Sequence, residues 1–171
     1  MTDPIWLFGY GSLIWRPDFP YLDAHRAYIA GWSRRFWQGS HFHRGVETDP
    51  GRVVTVIKAP GERCYGRAFL IEPGVFEHLD RREKNGYERN SIDICFDEAQ
   101  IPGVVYIAAT TNPAFLGDAP LDVIAAQINR CKGRSGTNVD YLLKLARALR
   151  RLSISDPHVF ELETLVLAIE K

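Results

Sequence analysis

The 171-residue sequence lacks an excess of charge of either sign, since 21 lysines and arginines face 21 aspartates and glutamates. A chain without net charge has no global field that would attract nucleic acid or an anionic membrane surface. We therefore expect no nucleic-acid partner and no membrane partner. Any recognition of charge has to come from a local cluster of side chains.

Long hydrophobic runs are also lacking. No segment approaches the roughly 18 to 20 apolar residues that a membrane-spanning helix needs. The N-terminal segment, residues 1–4, carries no basic region before the first apolar stretch, as a secretory leader would. The expectation is a soluble chain that is not secreted.

Cysteine is scarce, with three residues at wide spacing: Cys64, Cys95 and Cys131. An odd, widely spaced set does not suit a disulfide framework and favours reduced thiols in the cytoplasm. Cys64 and Cys95 each lie in an alternating, strand-like stretch, which predicts buried structural thiols.

What is present is ordinary globular composition, 46% hydrophobic and 25% charged, with strand patterns first and helix patterns later. Residues 53–57 and 65–71 read as strands, and the intervening Pro-Gly-Glu at 60–62 predicts that they pair as a hairpin. A short helix is expected after Pro73 and further strands at 87–96 and 104–109. From Pro120 onward the spacing predicts helices. This order favours an α+β fold with an antiparallel sheet.

The most informative segment is an apolar strand that runs into a glycine-spaced turn: Phe8, Gly9, Tyr10, Gly11, Ser12, Leu13. Glycine permits positive φ and removes the Cβ, so such a turn can aim backbone N–H groups at a carboxylate or an oxyanion. The alternative is a tight bend with a buried aromatic flank. The turn lacks the Lys-Ser/Thr ending of a phosphate loop, and Ser12 does not lie in a Gly-x-Ser-x-Gly nucleophile motif.

A second candidate is Glu83, which lies near the end of the short helix, before Gly86 and Tyr87. The helix dipole raises the pKa of a carboxyl there, while Arg82 and Lys84 oppose the shift in part. The sequence leaves the net direction of the shift open. Glu83 is therefore either a catalytic base or one residue of a solvated charged segment.

Metal binding is not favoured. His41 and His43 could offer two ligands, but no third ligand stands at a supporting spacing, so we expect no metal. His43 next to Arg44 suits anion binding instead.

Several segments, in the same order along nearly the whole chain, match one family. They are Phe-Gly-Tyr-Gly-Ser-Leu-Ile-Trp at 8–15, Ser-Arg-Arg-Phe-Trp-Gln-Gly-Ser at 33–40, His-Arg-Gly at 43–45, Gly-Arg-Val-Val-Thr at 51–55, Arg-Glu-Lys-Asn-Gly-Tyr at 82–87 and Ser-Gly-Thr-Asn at 135–138, the last leading to Tyr141. The sequence resembles the ChaC-type, glutathione-specific γ-glutamylcyclotransferases.

The resemblance implies one domain over residues 1–171, a mixed β-barrel flanked by helices, that cleaves glutathione to 5-oxoproline and Cys-Gly without metal or cofactor. It places Glu83 on the family's catalytic acid/base and Tyr141 on its substrate-contacting tyrosine. It also places residues 8–13 on or beside the substrate-binding loop. Arg35, Arg44 and Arg52 are candidate partners for the glycine carboxylate.

Two alternatives remain open beside glutathione cleavage. The same chemistry could act on another γ-glutamyl peptide or γ-glutamylamine. The chain could also be a non-catalytic γ-glutamyl-binding module that kept the fold. The oligomeric state is not predicted by the sequence.

Overall fold

The computed structural model describes residues 3–83 and 86–169. These residues form two compact units, one from the described residues up to 34 together with 56–109, the other from 35–55 together with 110–169. Each unit is thus assembled from two separate stretches of chain. The assignment of residues 1–171 to a single domain stays a prediction.

Five strands form a closed barrel in the order β1, β3, β2, β4, β5. Their bounds are Ile5–Gly9 for β1, Asp23–Ser40 for β2, Gly51–Ile71 for β3, Tyr87–Cys95 for β4 and Gln100–Ala108 for β5. In the first unit, β1 runs antiparallel to β3 and parallel to β5, and β4 runs antiparallel to β5. The expected antiparallel sheet is therefore a mixed one, because closing the barrel brings β1 beside β5 with the same direction.

The predicted hairpin around residues 60–62 is wrong. Residues 51–71 form one strand of 21 residues, β3, instead of two paired strands. The glycine of the predicted turn, Gly61, does adopt a positive φ of 85°. It lies in an exposed part of the strand with Pro60, where a residue without an N–H group and a glycine are both tolerated.

The core of the first unit joins the barrel to the short helix. The buried cluster is Leu7, Leu13, Phe19, Phe69, Ile71, Phe76, Leu79 and Tyr106. Helix α1 spans Phe76–Arg82 after a 3₁₀ turn at Pro73–Val75. Phe76 and Leu79 bury the apolar face of α1, as its spacing predicts. The helix caps at Glu83, and Gly86 follows with a φ of 88°.

The second unit carries the later helices and a two-stranded ribbon. The bounds are Leu121–Arg130 for α2, Lys132–Gly133 for β6, Gly136–Thr137 for β7, Asn138–Arg151 for α3 and Pro157–Ala168 for α4. Thr137 Oγ1 accepts from Asp140 N at 3.0 Å, and Asp156 Oδ1 accepts from Val159 N at 3.1 Å. The helices predicted after Pro120 are thereby confirmed, and Thr137 and Asp156 cap two of them. Among the described helices, none has both the length and the hydropathy needed to cross a membrane.

The first residue of α3 clamps the start of β3. The Asn138 side chain is fully buried. Its Oδ1 accepts from Arg52 N at 2.7 Å, and its Nδ2 donates to Arg52 O at 2.8 Å. One amide therefore satisfies both backbone polar groups of a buried strand residue, as a neighbouring strand would.

We predict that Asn138→Ala lowers the free energy of unfolding by about 2–4 kcal/mol, because a buried N–H and a buried C=O lose their partners together. Urea denaturation monitored by circular dichroism measures the loss. Asn90→Ala is the control: Asn90 is exposed and donates to Glu88 O at 2.9 Å, so its loss should stay within about 0.5 kcal/mol. Equal losses for the two substitutions would contradict the stabilising role of the hydrogen bonds between Asn138 and the Arg52 backbone.

Candidate active site

The predicted turn follows β1 directly and folds back on it. A 3₁₀ turn spans Ser12–Ile14, closed by Ile14 N donating to Gly11 O at 3.0 Å. A Cβ on Gly9 would come within 2.9 Å of Leu13 Cβ, so close approach explains the first glycine. Its φ is not positive, and Gly11 has a φ and ψ of −128°, so positive φ is not why these glycines are needed.

The turn leaves backbone donors at its start. The first N–H groups of a 3₁₀ turn, here those of Ser12 and Leu13, have no acceptor inside the turn. Phe8 and Leu13 are buried, whereas Ser12 is half-buried. The turn thus has two N–H groups without an acceptor inside it, and their role in binding an anionic oxygen stays a prediction.

Buried hydrogen bonds hold the turn from both sides. Arg34 Nε donates to Tyr10 O at 3.1 Å, and Tyr10 OH donates to Tyr106 O at 2.6 Å. Arg67 Nη1 donates to Ile14 O at 3.3 Å. These bonds fix the Tyr10–Gly11 peptide before the 3₁₀ turn and the Ile14–Trp15 peptide after it.

Arg34 was not among the predicted site residues. Its side chain is only 2% exposed, and its guanidinium also donates to Tyr65 O. The signal that could have found it is the alternation along β2, where Arg34, Phe36 and Gln38 are all buried. An arginine in register with buried neighbours must find acceptors inside the protein.

Glu83 lies at the end of α1, where its N–H donates to Leu79 O at 2.9 Å. Its side chain is only 15% exposed. Burial raises the pKa of this carboxyl, Arg82 opposes the shift and Asp18 adds to it. The net direction, which the sequence left open, is upward, and its main cause is desolvation.

Arg82 brings the turn and Glu83 together. Its Nη2 donates to Ser12 Oγ at 3.2 Å, and its Nε lies 3.7 Å from Glu83 Oε1. Two predicted site residues that are 71 positions apart in the sequence thus contact one guanidinium. From the sequence, Arg82 is only a chain neighbour of Glu83, because nothing in the sequence indicates that the turn at residues 8–13 contacts the end of α1.

In the second unit, Tyr141 lies on α3 and is buried. Its hydroxyl accepts from Val54 N at 3.3 Å, and its ring contacts Phe36 edge-on at 5.9 Å between centroids. The Arg44 guanidinium lies 5.7 Å from the centre of the same ring. Two predicted site residues, Arg44 and Tyr141, are therefore neighbours here.

The candidate carboxylate-binding arginines have protein partners in this unit. Arg44 Nη1 donates to Thr137 O at 3.0 Å and to Asp140 Oδ2 at 3.1 Å. The donors of Arg52 reach three acceptors, Gln127 Oε1 at 2.7 Å, Phe36 O at 3.0 Å and Gly117 O at 2.8 Å. Arg35 is half-buried on β2. Their role as carboxylate ligands stays a prediction.

The structure describes the surroundings of His43 and of the three cysteines. His43 Nδ1 lies 2.7 Å from Ser135 Oγ, and in residues 3–83 and 86–169 no group of three His, Cys, Asp or Glu side chains could hold a metal ion. All three cysteines are buried and outside any disulfide, which confirms the burial expected for Cys64 and Cys95. Burial raises the pKa of the Cys131 thiol to about 11, so it is not a reactive thiolate.

Comparison with known proteins agrees with this geometry. A crystal structure of the yeast γ-glutamyl cyclotransferase specific to glutathione superimposes with a TM-score of 0.89 at 29% identity, covering 97% of this chain and 96% of that one. The barrel with its helices is therefore a γ-glutamylcyclotransferase fold, as the resemblance implied. The family model of ChaC-like proteins matches residues 5–169, and the chain belongs to that family.

Two relatives cover most of both chains. Glutathione-specific gamma-glutamylcyclotransferase 1 of Danio rerio is 42% identical, over 96% of this chain and 89% of the relative. The glutathione-specific gamma-glutamylcyclotransferase of Schizosaccharomyces pombe is 38% identical, over 93% of this chain and 90% of the relative.

We predict that Glu83→Gln raises the melting temperature at pH 7 and leaves it unchanged below pH 4. A carboxyl whose pKa is raised in the folded state holds its proton more tightly there than in the unfolded chain. Its ionisation therefore lowers stability as the pH rises above the ordinary glutamate value of about 4.3. Glutamine keeps the shape and cannot ionise, so it removes this cost. Differential scanning calorimetry at both pH values measures the difference.

Glu163→Gln is the matched control, because the Glu163 side chain is also 15% exposed. A hydrogen bond from Arg150 lowers the pKa of Glu163, so the ionised Glu163 stabilises the folded state at pH 7. Glu163→Gln removes this ionised carboxylate and should lower the melting temperature at that pH. A fall of the same size for Glu83→Gln would contradict the raised pKa of Glu83.

Proposed function

We propose that the protein cleaves glutathione by intramolecular cyclisation of the γ-glutamyl group, giving 5-oxoproline and Cys-Gly. The observation that carries the proposal is the buried Glu83 carboxyl, joined through Arg82 to a turn with two backbone donors. Membership of the ChaC-like family and the relatives named as glutathione-specific γ-glutamylcyclotransferases support the same substrate.

The substrate supplies its own nucleophile. Its α-amino nitrogen attacks the γ-carbonyl carbon and closes a five-membered ring, and well-oriented intramolecular reactions have effective molarities of about 10⁵ to 10⁸ M. The enzyme therefore needs no covalent nucleophile, and no metal or cofactor enters the proposal. Ser12 acts as part of the turn.

Glu83 supplies the proton transfers. An α-amino group has a pKa of roughly 8, so a base has to take its proton before attack at neutral pH. Burial raises the pKa of Glu83, which makes it a better proton acceptor than an ordinary carboxylate. The protonated Glu83 then delivers this proton to the cysteine nitrogen as the γ-glutamyl C–N bond breaks and Cys-Gly leaves. The ring nitrogen loses a second proton when the lactam forms, and Glu83 passes that proton to the released amino group of Cys-Gly.

The turn at residues 8–13 stabilises negative charge on the substrate. Its N–H groups at Ser12 and Leu13 donate to an anionic oxygen of the substrate, either the oxyanion of the tetrahedral intermediate or the α-carboxylate. The two peptides that carry these N–H groups are already fixed, because Gly11 O accepts from Ile14 N at 3.0 Å and Ser12 O accepts from Arg16 N at 2.8 Å. The donors therefore need little reorganisation during the reaction.

Incubation of the purified protein with glutathione, with 5-oxoproline and Cys-Gly assayed by mass spectrometry, tests the proposal. We expect Glu83→Gln to lower kcat by about 10²- to 10⁴-fold, because the acid/base is lost. Glutathione binding, measured by calorimetry, should remain, since glutamine has the same shape. Glu163→Gln should keep wild-type turnover.

The outcomes separate the alternatives. Faster turnover of another γ-glutamyl peptide or of a γ-glutamylamine would change the substrate and keep the chemistry. Binding of glutathione without products from the folded wild-type protein would instead favour the non-catalytic binding module. Near-normal turnover of Glu83→Gln would refute the catalytic role of Glu83.

Tyr141 is proposed to contact the substrate, as the resemblance implies. Tyr141→Phe should then raise KM several-fold and change kcat by less than about twofold, because the lost contact stabilises the bound substrate and the transition state equally. Steady-state kinetics with glutathione measures both constants. Tyr21→Phe, at an exposed tyrosine, is the control. An unchanged KM for Tyr141→Phe would contradict the contact.

A further inference from the structure

A second carboxylate competes with Glu83 for Arg82. Asp18 lies beyond the 3₁₀ turn, and its Oδ1 accepts a hydrogen bond from Arg82 Nη1. The Nε of the same guanidinium lies 3.7 Å from Glu83 Oε1, which is an ionic contact and too long for a hydrogen bond. The charge of Arg82 is thus divided unequally between two carboxylates, and Asp18 has the stronger interaction.

We propose that Asp18 is a positioning residue for the acid/base: by binding Arg82 from the solvent side it keeps the guanidinium from forming a full ion pair with Glu83. Arg82 is otherwise held by two neutral acceptors, Arg16 O at 3.2 Å and Ser12 Oγ at 3.2 Å. Neither of them neutralises its charge. Asp18 therefore neutralises the charge of Arg82, so that Glu83 does not have to.

The consequence for Glu83 follows from electrostatics. A cation within about 4–6 Å favours the ionised carboxylate and lowers its pKa, whereas a nearby anion raises it. Asp18 raises the pKa of Glu83 in two ways. Its own negative charge disfavours a second carboxylate nearby, and its hydrogen bond with Arg82 weakens the interaction of Arg82 with Glu83. The side chain of Asp18 is 42% exposed, so the effect is screened in part.

Four titratable groups on α1, β4 and β5 have hydrogen bonds or ion pairs with partners other than Glu83. Tyr106 on β5 donates to Asp80 Oδ1 at 2.5 Å, and Arg89 Nη2 on β4 lies 3.7 Å from Asp80 Oδ2. His78 on α1 lies 3.5 Å from Asp18 Oδ1 and adds to the positive charge on that side only when protonated. Lys84 lies outside the described residues. Among the described groups, Asp18 and Arg82 are the pair whose balance Glu83 senses.

The test is a direct titration of Glu83. The 171-residue protein is labelled with ¹³C at the glutamate carboxyl carbon, and the Glu83 signal is assigned by its absence in Glu83→Gln. We expect Asp18→Asn to lower the midpoint of the Glu83 titration by about 0.5 to 1 pH unit, and Arg82→Gln to raise it. Loosened packing would hydrate Glu83 and lower the midpoint in both variants, so opposite signs identify the electrostatic role.

Two further variants serve as controls. Asp49→Asn removes an aspartate that is 44% exposed and paired with Arg130, in the second unit, and should leave the Glu83 midpoint unchanged. Asp18→Glu keeps the charge and should restore most of the wild-type value. An Asp18→Asn midpoint equal to the wild-type value, or a fall in both Asp18→Asn and Arg82→Gln, would overturn the proposal.

The catalytic consequence rests on the proposed function and has a separate readout. Because a base acts in its ionised form, the acidic limb of the kcat/KM profile with glutathione should move to lower pH in Asp18→Asn, by the same amount as the Glu83 midpoint. A shifted midpoint without any turnover by the wild-type protein would refute the proposed function and support the Asp18 interaction. A shifted midpoint with an unmoved acidic limb would refute the role of Asp18 in catalysis.

Discussion

The desolvation of the Glu83 carboxyl is the constraint on which the first unit depends. Leu13 of the turn, Phe76 and Leu79 of α1 and Tyr106 of β5 belong to one buried cluster. Packing of that cluster brings the end of α1 beside the turn, and there the Glu83 side chain is mostly removed from water. A carboxylate in this place is costly unless it is paired or protonated. The same cost raises its affinity for a proton, which is the property that an acid/base needs.

Arginine holds this arrangement together in a way that lysine could not. The fork of donors on Arg34, Arg67 and Arg82 reaches acceptors on or beside the turn, and one guanidinium can bind several of them in fixed directions. In the second unit Arg52 does the same for the carbonyl groups of Phe36 and Gly117. Arginines that look like substrate ligands in the sequence therefore have structural partners as well.

Much of the fold could be predicted because its signals are local. Helix spacing, the Thr137 and Asp156 caps and the alternating strands are encoded by neighbouring residues. The two errors in the sheet come from non-local geometry. The direction of β1 beside β5 depends on closure of the barrel, and the continuity of β3 depends on the path of residues that a Pro-Gly pair would otherwise place in a turn.

The candidate site shows the same division. By itself the sequence identified the turn at residues 8–13 and Glu83 as candidate site residues, since glycine spacing, a helix end and the family resemblance all lie in short segments. Only the tertiary structure decided that Arg82 contacts both Ser12 and Glu83, that it also binds Asp18, and that the buried Arg34 donates to Tyr10 O. The reason is physical: desolvation and ion pairing depend on distances in space, and residues 18 and 83 become neighbours only after the barrel and α1 have packed.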